Sequence, residues 1–526
     1  MKRQYWILLG FVISSLILRI ALLIFIENPG LNDQNHYYNL GTRLLNGDGF
    51  TIDYVWHYSH LPASIEHPID HWMPVAGIAA AIGMFIFGEG AQSALFLFII
   101  MGSLLPVVVY SAAKQYDLSD NLALMASAFA ISIPDFVWNS LRTDTTIINM
   151  LLIPASIIAF IHAIKHQRWW SYIICGVLGG IAYLTRNDSI LILPLVVSCA
   201  VVYLIWGKAY TNRRQLWRLI VIPIAFAITI APWLVRNYQT LDMLGSPETS
   251  RMFFMVDAKD HYAYNMSLTL ESMLERRTIS EHINKRLFEF FAAIKQIIIS
   301  LDGVLPLLMA IGLLSLLWQR NRQSWLTALP VVLWILGILI AYPFLLPLKS
   351  QSGSFEKAYL TIVPMMLPFA AFAIDRLFKN NLWRVIAVLV TVLLMAANSF
   401  DVVRSETQRA NQFYANMQRL TDIIMTLDDR TGDDEVRVMS QDPFPMSYFG
   451  IKSVMTPLTT TREDVLALTD RYDIDYLIMP AARPALDALY QQGEIDERFT
   501  FMTSMRDETR ILYEIYAITN EVASDD

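Results

Sequence analysis

Cysteine is scarce: the 526 residues hold two, Cys175 and Cys199, both inside apolar runs. That excludes a disulfide framework and leaves both as small core residues. No low-complexity segment is present. No internal repeat of the kind many transporters show is visible. No HExxH or comparable metal signature occurs. Charge is also missing from most of the long apolar runs, Arg19 being the exception. A lone charge at mid-membrane costs roughly 2.5–3.5 kcal/mol, so Arg19 is expected to snorkel or to find a partner. This shortage of deep charges argues against a transport pathway built on polar groups at the midplane.

What is abundant is apolar sequence, at 55% of residues and a mean hydropathy of +0.41. About eleven runs approach the ~20-residue length that spans a bilayer. They lie near 5–27, 92–113, 121–134, 147–164, 171–185, 189–207, 217–235, 303–319, 326–347, 358–375 and 383–399. The first is too long, and lacks the small-residue cleavage site, for a removable signal peptide. The linkers sort by charge. Those at 1–3, 165–168, 208–218, 320–322 and 376–379 are short and basic, which places them in the cytoplasm by the positive-inside rule. Those at 28–91, 135–146, 186–188, 236–302 and 348–356, and everything after about 400, are richer in acid, proline and aromatics and face outside. Residues 73–88 are apolar, but a crossing there would invert every later basic linker. They are therefore expected to form a helix in the outer interface. The N-terminus is then inside and the C-terminus outside.

Residues 401–526 hold 24 Asp and Glu against 12 Lys and Arg, a net of −12, while residues 1–400 net +5. An acidic outer segment argues against nucleic acid and against docking on anionic lipid, and it also serves solubility. Within it, 435–439, 476–479 and 511–516 read as strands, and 405–427, 461–471 and 482–492 as amphipathic helices. The expected organisation is a transmembrane domain at 1–400, with outer loops 28–91 and 236–302, followed by a small extracytoplasmic α/β domain at 401–526.

The outer linkers carry the chemistry. Asp33 lies just past the first apolar run, at the membrane boundary. A carboxylate there can serve as a general base, or simply as a loop charge or cap. His67 and His71 with Glu66 or Asp70 would offer two nitrogens and an oxygen to a metal, but Pro68 interrupts the turn that would align them. Asp144 opens a crossing, where a carboxylate also suits helix capping. Arg186, Arg236 and Lys357 stand at three outer helix ends, at the depth of lipid phosphates. Each is also readable as a snorkelling anchor, Arg236 most of all because Pro232-Trp233 precede it. Together, acidic loops and phosphate-reading cations at one interface suit a polyprenyl-phosphate substrate. The cytoplasmic linkers are too short for a nucleotide-sugar domain, so a transferase built this way would take a lipid-linked donor.

These residues resemble the GT-C superfamily of polyprenyl-phosphate-sugar glycosyltransferases over roughly residues 5–400. The branch with protein O-mannosyltransferases and lipid A aminoarabinose transferases is the more similar. The likeness rests on the order of Asp33, His67-Pro68, Pro134…Arg142-x-Asp144, Gly179-Gly180…Arg186, Pro232-Trp233-x-x-Arg236-Asn237 and Ser354-x-x-Lys357. Ile69 and Asn187 depart from it, standing where prolines are frequent. The resemblance implies a polytopic α-helical GT-C fold with a juxtamembrane helix opened by His67-Pro68. It implies inverting sugar transfer on the outer face of the plasma membrane. Asp33 takes the position of the catalytic base and Asp144 the second acidic position. His67, Arg186, Arg236 and Lys357 fall at substrate-binding positions. Partners would be a polyprenyl-phosphate-sugar donor, a lipid, glycan or protein acceptor, and the bilayer. A divalent metal is compatible with the sequence without being required by it. The competing reading is a polytopic transporter or flippase.

Overall fold

The computed structural model describes residues 3–206, 213–246, 251–318, 322–346, 353–428, 435–458, 461–480, 497–508 and 510–519. The expected helix at 482–492 lies outside them. The chain divides into two compact units. The first comprises Met1–Pro29, Trp72–Leu244 and Ser280–Gln408. The second comprises Gly30–His71, Gly245–Ile279 and Arg409–Asp526. The boundary expected near 400 falls inside one helix, Asn381–Leu427, whose residues from Arg409 onward belong to the second unit.

The first unit is helical. Among the described residues, six helices are long and apolar enough to cross a membrane, or eight if two bent pairs each count as one span. The helices at the expected crossings near 121–134, 171–185 and 189–207 are shorter. Val75–Phe87, in the segment expected at the outer interface, has 13 residues. At 1.5 Å per residue that is about 20 Å, short of a ~30 Å hydrocarbon core. The 236–302 linker is more ordered than its polarity suggested, holding helices Leu270–Arg276 and Ile279–Ile299. The latter meets Val304–Trp318 at a 99° bend.

Small residues let these helices approach closely, as membrane helix pairs require. A Cβ added to Gly176 would sit 2.4 Å from the carbonyl oxygen of Ile222, and one on Gly180 would sit 2.7 Å from Cβ of Thr229. Trp169–Tyr183 is thus seated on Val221–Leu241, which sets where the turn at Arg186 emerges. Arg19 does not snorkel. It is fully buried, with Nε donating to Ser140 Oγ at 2.7 Å and an Nη donating to the carbonyls of Ser15 and Ile131 at 3.1 Å each.

The second unit is built on a mixed six-stranded sheet. Its strands are β2 (Tyr54–Val55), β4 (Arg437–Ser440), β5 (Lys452–Met455), β6 (Tyr476–Pro480), β7 (Phe499–Asp507) and β8 (Arg510–Ile518), in the order β2-β5-β4-β6-β8-β7. The first four in that order run parallel; β8 and β7 are antiparallel. The three expected strands are β4, β6 and β8, each shifted by a residue or two. Along β6, Tyr476 and Ile478 enter one apolar cluster, and Leu477 and Met479 another. That is the two-residue period of a strand buried on both faces. One face is covered by Met417, Leu420 and Ile424, spaced as one helical stripe. The other is covered by Val465, Leu468 and Tyr472 of the helix Arg462–Tyr472, whose Thr461 and Asp464 form a capping box. The edge strand β2 comes from the 28–91 linker, so β5 has no open edge there.

Candidate functional site

In the first unit, Arg186 sits in the turn between Trp169–Tyr183 and the short 3-10 helix Asn187–Leu191. Its Nε donates to Asp188 Oδ2 at 2.9 Å, and one Nη donates to Tyr342 Oη at 2.8 Å and to the Ser354 carbonyl at 2.9 Å. The Tyr342 hydroxyl donates to Asp188 in turn. The forked geometry of the guanidinium is therefore used on three elements at once, from two separate nitrogens that a single ammonium does not offer. Tyr342 reaches it from a π-helical turn, Ala341–Leu345.

Ser354 begins the helix Ser354–Leu360, and Lys357 lies one turn along it. Lys357 Nζ is 2.7 Å from Asp144 Oδ2, and an Nη of Arg142 is 3.8 Å from the same oxygen. Asp144 is the N-cap of Thr145–His166. Its Oδ1 accepts from the Thr146 amide at 3.1 Å, the Thr146 hydroxyl at 2.9 Å and the Thr145 hydroxyl at 3.2 Å. Burial works against its charge, but Lys357, Arg142 and these donors prevail and hold the carboxyl well below the usual range. Arg142, Arg186 and Lys357 thus face Asp144 and Asp188, with Glu356 beside Lys357 on the same short helix.

A second carboxyl group lies in the same unit. Asp135, in the helix Pro134–Asn139, is pushed up to about 6 by burial, with the charges of Glu356 and Asp302 adding to the effect. Gln296 donates to Glu356 at 3.0 Å. A carboxyl near 6 exchanges protons at physiological pH, whereas Asp144 does not.

Arg236 is not at a helix exit. Val221–Leu241 continues past it, with its guanidinium 4.8 Å from the Trp233 ring centroid and an Nη donating to Asn237 Oδ1 at 3.0 Å. None of these contacts joins it to Arg186 or Lys357, whereas Asp144, Arg186 and Lys357 meet around one short helix.

Asp33 and His67 belong to the second unit. Asp33 is not a loop residue but the first residue of the helix Asp33–Asn46, following Asn32 at φ 50° and ending at Gly47 with φ 91°. It is partly buried, and its charge acts on His36 and Tyr54. His36 is fully buried, its Nδ1 bonded to the Tyr54 hydroxyl; burial pushes its imidazole down to about 3. His67 does not open a helix. It lies in β3 (His67–Pro68), paired antiparallel with β1 (Thr51–Ile52), because Pro68 and the β-branched partner favour extended backbone. Its Nδ1 is 2.8 Å from the Ile65 carbonyl, and burial lowers its pKa. The sequence also hid a buried pair: His57 Nε2 lies 3.1 Å from Asp70 Oδ1, both side chains 2% exposed. Burial alone would raise the Asp70 carboxyl, but His57 holds it below its ordinary value. Among the described residues, no group of three or more His, Cys, Asp or Glu side chains is placed to hold a metal.

A family model described as dolichyl-phosphate-mannose-protein mannosyltransferase matches residues 66–235, about a third of the chain. No curated protein sequence matches. Among solved structures, the chain is similar to ArnT from Cupriavidus metallidurans bound to undecaprenyl phosphate, at 14% identity and a TM-score of 0.61, covering 99% of both chains. It is similar to the oligosaccharyltransferase from Archaeoglobus fulgidus in complex with zinc and sulfate, at 14% identity and a TM-score of 0.61, covering 96% of this chain and 72% of that one. It is also similar to AglB of the same organism in complex with an inhibitory peptide and a dolichol-phosphate, at 13% identity and a TM-score of 0.55, over 99% and 74%. The fold is that of the GT-C glycosyltransferases, with a C-terminal α/β domain.

Proposed function

We propose that this protein is a multi-pass membrane glycosyltransferase that moves a sugar, with inversion, from a polyprenyl-phosphate carrier to an acceptor on the extracytoplasmic face. The observation that carries this reading is the convergence of Arg186 and Lys357 on the helix Ser354–Leu360, each held by a buried or half-buried carboxylate. Two cations fixed at one short helix suit a phosphate. The similar structures with undecaprenyl phosphate and dolichol-phosphate support the lipid class.

In the proposed reaction an acceptor oxygen or nitrogen attacks the anomeric carbon. The bond from that carbon to the phosphate oxygen breaks, and its electron pair leaves on the lipid phosphate. Charge therefore grows on the phosphate as the bond lengthens. Cations already fixed in place lower that barrier without reorganising, which is the main electrostatic means of catalysis. Asp33 is the proposed general base that takes the acceptor proton. Asp144 serves as a positioning residue: its carboxyl is committed to Lys357 and to three donors, and it is too acidic to accept a proton at neutral pH. His67 and Arg236 remain proposed substrate contacts, Arg236 with the weaker support because Trp233 and Asn237 already engage it. Residues 1–400 are the proposed membrane catalytic part and 401–526 the extracytoplasmic part, with eleven crossings, the N-terminus cytoplasmic and the C-terminus outside. Transport across the membrane is disfavoured because Arg19, the deep charge, is sealed by Ser15, Ser140 and Ile131.

The test is mass spectrometry of glycans and lipid intermediates in a deletion strain. A polyprenyl-phosphate sugar that accumulates, with a glycoconjugate that disappears, names donor and acceptor. Unchanged lipid-linked sugars and glycans would remove the reading.

A further inference from the structure

At the other end of the Trp169–Tyr183 helix from Arg186, the first unit holds a cavity of about 470 Å³. Its polar and aromatic lining is Gln167, Arg168, Trp169, Tyr172, Trp217 and Arg218. Gln167 ends the long helix Thr145–His166 in a left-handed conformation, φ 54°, and its carbonyl accepts from an Nη of Arg218 at 3.1 Å. That bond fixes one edge of the guanidinium and orients the rest of its donors. The Arg218 guanidinium also lies 6.0 Å from the Trp217 ring centroid.

Two contrasts mark this cavity out. The cations of the proposed donor site face carboxylates: Arg186 faces Asp188, and Lys357 and Arg142 face Asp144. Lys165, three residues before Arg168, pairs with Asp117 at 3.1 Å. Among the described residues, neither Arg168 nor Arg218 pairs with a carboxylate. The sequence supplies none nearby either: 207–218 contains Lys208, Arg213, Arg214 and Arg218 and no acidic residue. The second contrast is exposure. Trp169 and Trp217 flank the two arginines and are 65% and 66% exposed. Exposed indoles beside cations at the ends of apolar helices belong at the level of lipid headgroups.

We propose that this cavity binds the phosphate of an anionic phospholipid, with Arg168 and Arg218 on the phosphate and Trp169 and Trp217 against the glycerol and upper acyl chain. The volume suits a small-molecule site, and two guanidinium forks match the geometry of a phosphodiester. Basic pockets between helices on the cytoplasmic side hold anionic headgroups by this chemistry. The assignment to the inner leaflet rests on the topology proposed above; the binding itself does not. The cavity is separated from Arg186 by the Trp169–Tyr183 helix, 15 residues or about 22 Å. It is therefore a second anion site, distinct from the proposed donor site.

Native mass spectrometry of the full-length protein in a neutral detergent tests this, with phosphatidylglycerol, phosphatidylcholine and inorganic phosphate as probes. The expected result is one phosphatidylglycerol bound in preference to phosphatidylcholine. Each charge-assisted pair contributes about tenfold, so Arg168→Gln/Arg218→Gln should weaken that binding about 100-fold. Arg168→Lys/Arg218→Lys keeps the charge and loses the forks, so it should fall between the two. Retention of phosphatidylglycerol against millimolar phosphate identifies the lipid as the ligand. Displacement by phosphate overturns the lipid assignment and leaves a site for a soluble phosphate compound. Equal binding of the two lipids, or unchanged binding in the glutamine and lysine variants, overturns the proposal. Should the glutamine variant misfold, the lysine pair still decides. Arg168 and Arg218 take no part in the proposed reaction, so failure here leaves that reading standing.

Discussion

Removing Lys357 should cost stability as well as donor binding. Asp144 Oδ2 lies 2.7 Å from Lys357 Nζ and 3.8 Å from Arg142, and the Asp144 side chain is 1% exposed. At an effective dielectric of about 20, Coulomb attraction gives about 6 kcal/mol for the first pair and about 4 kcal/mol for the second. Desolvation of the buried ions offsets most of that, several kcal/mol for each. Lys357→Met deletes the larger attraction and leaves the desolvation of Asp144 in place. The expected loss is about 3–5 kcal/mol, the usual cost of stripping one partner from a buried pair. Asp144→Asn/Lys357→Met removes both charges and should recover about 1–3 kcal/mol of it as a coupling term. Acidification separates the two further. In wild type the Asp144 carboxyl sits below its unfolded value, so its contribution is complete above about pH 4 and is lost as pH falls through the folded value. In Lys357→Met burial is less opposed, the folded value rises, and mild acid should restore part of the lost stability. Reversible unfolding in mixed detergent micelles, followed by tryptophan fluorescence, reads all of these. Additive single effects, or a Lys357→Met cost below about 1 kcal/mol, would refute the electrostatic account of this group.

Asp33→Asn should lower turnover by about 10²–10⁴ with normal folded yield, because it removes a proton acceptor and keeps the size; near wild-type turnover would take Asp33 out of the mechanism. His36, held at about 3 when folded against about 6.5 when unfolded, keeps its full contribution above pH 6.5 and loses it on acidification, by up to about 1.4 kcal/mol per unit. His36→Gln should therefore flatten the melting temperature between pH 6.5 and pH 4, and an unchanged slope would show that His36 does not set it. A reporter active only in the cytoplasm, fused after Asp526, should be silent; a strong signal would break the proposed topology.

Much of this was legible in the chain. Long apolar runs announced the helices, and short runs rich in β-branched and aromatic residues announced β4, β6 and β8. Gly180 and Lys357 were visible as motif residues. Other features had no local signal. β2 is two residues long and pairs Tyr54 with Ser453, so neither periodicity nor spacing could reveal it. The helix Asp33–Asn46 was concealed by its polar and aromatic composition, although Gly47 marks its end as a left-handed cap. His67 was misplaced because a proline after a histidine suits a helix start as well as a strand; only the pairing with Ile52 decides. Arg236 was expected at a helix end because the apolar run stops near 235, yet the helix runs on to Leu241. The contacts of Arg186 with Tyr342 and of Lys357 with Asp144 span 156 and 213 residues. Each partner alone looked like a cap or an anchor, and only tertiary packing makes them a group.

The central claim is that Arg186 and Lys357 hold the donor's lipid phosphate. It is tested most directly by the donor KM, at saturating acceptor, of Arg186→Gln, Arg186→Lys, Lys357→Gln and Lys357→Arg. Loss of a charge-assisted contact should raise KM roughly 10- to 100-fold in the glutamine variants. Arg186→Lys should also be impaired, because Asp188, Tyr342 and Ser354 all depend on the fork, and Lys357→Arg should be milder than Lys357→Gln. Wild-type KM and kcat in the folded fraction of the glutamine variants would contradict the account.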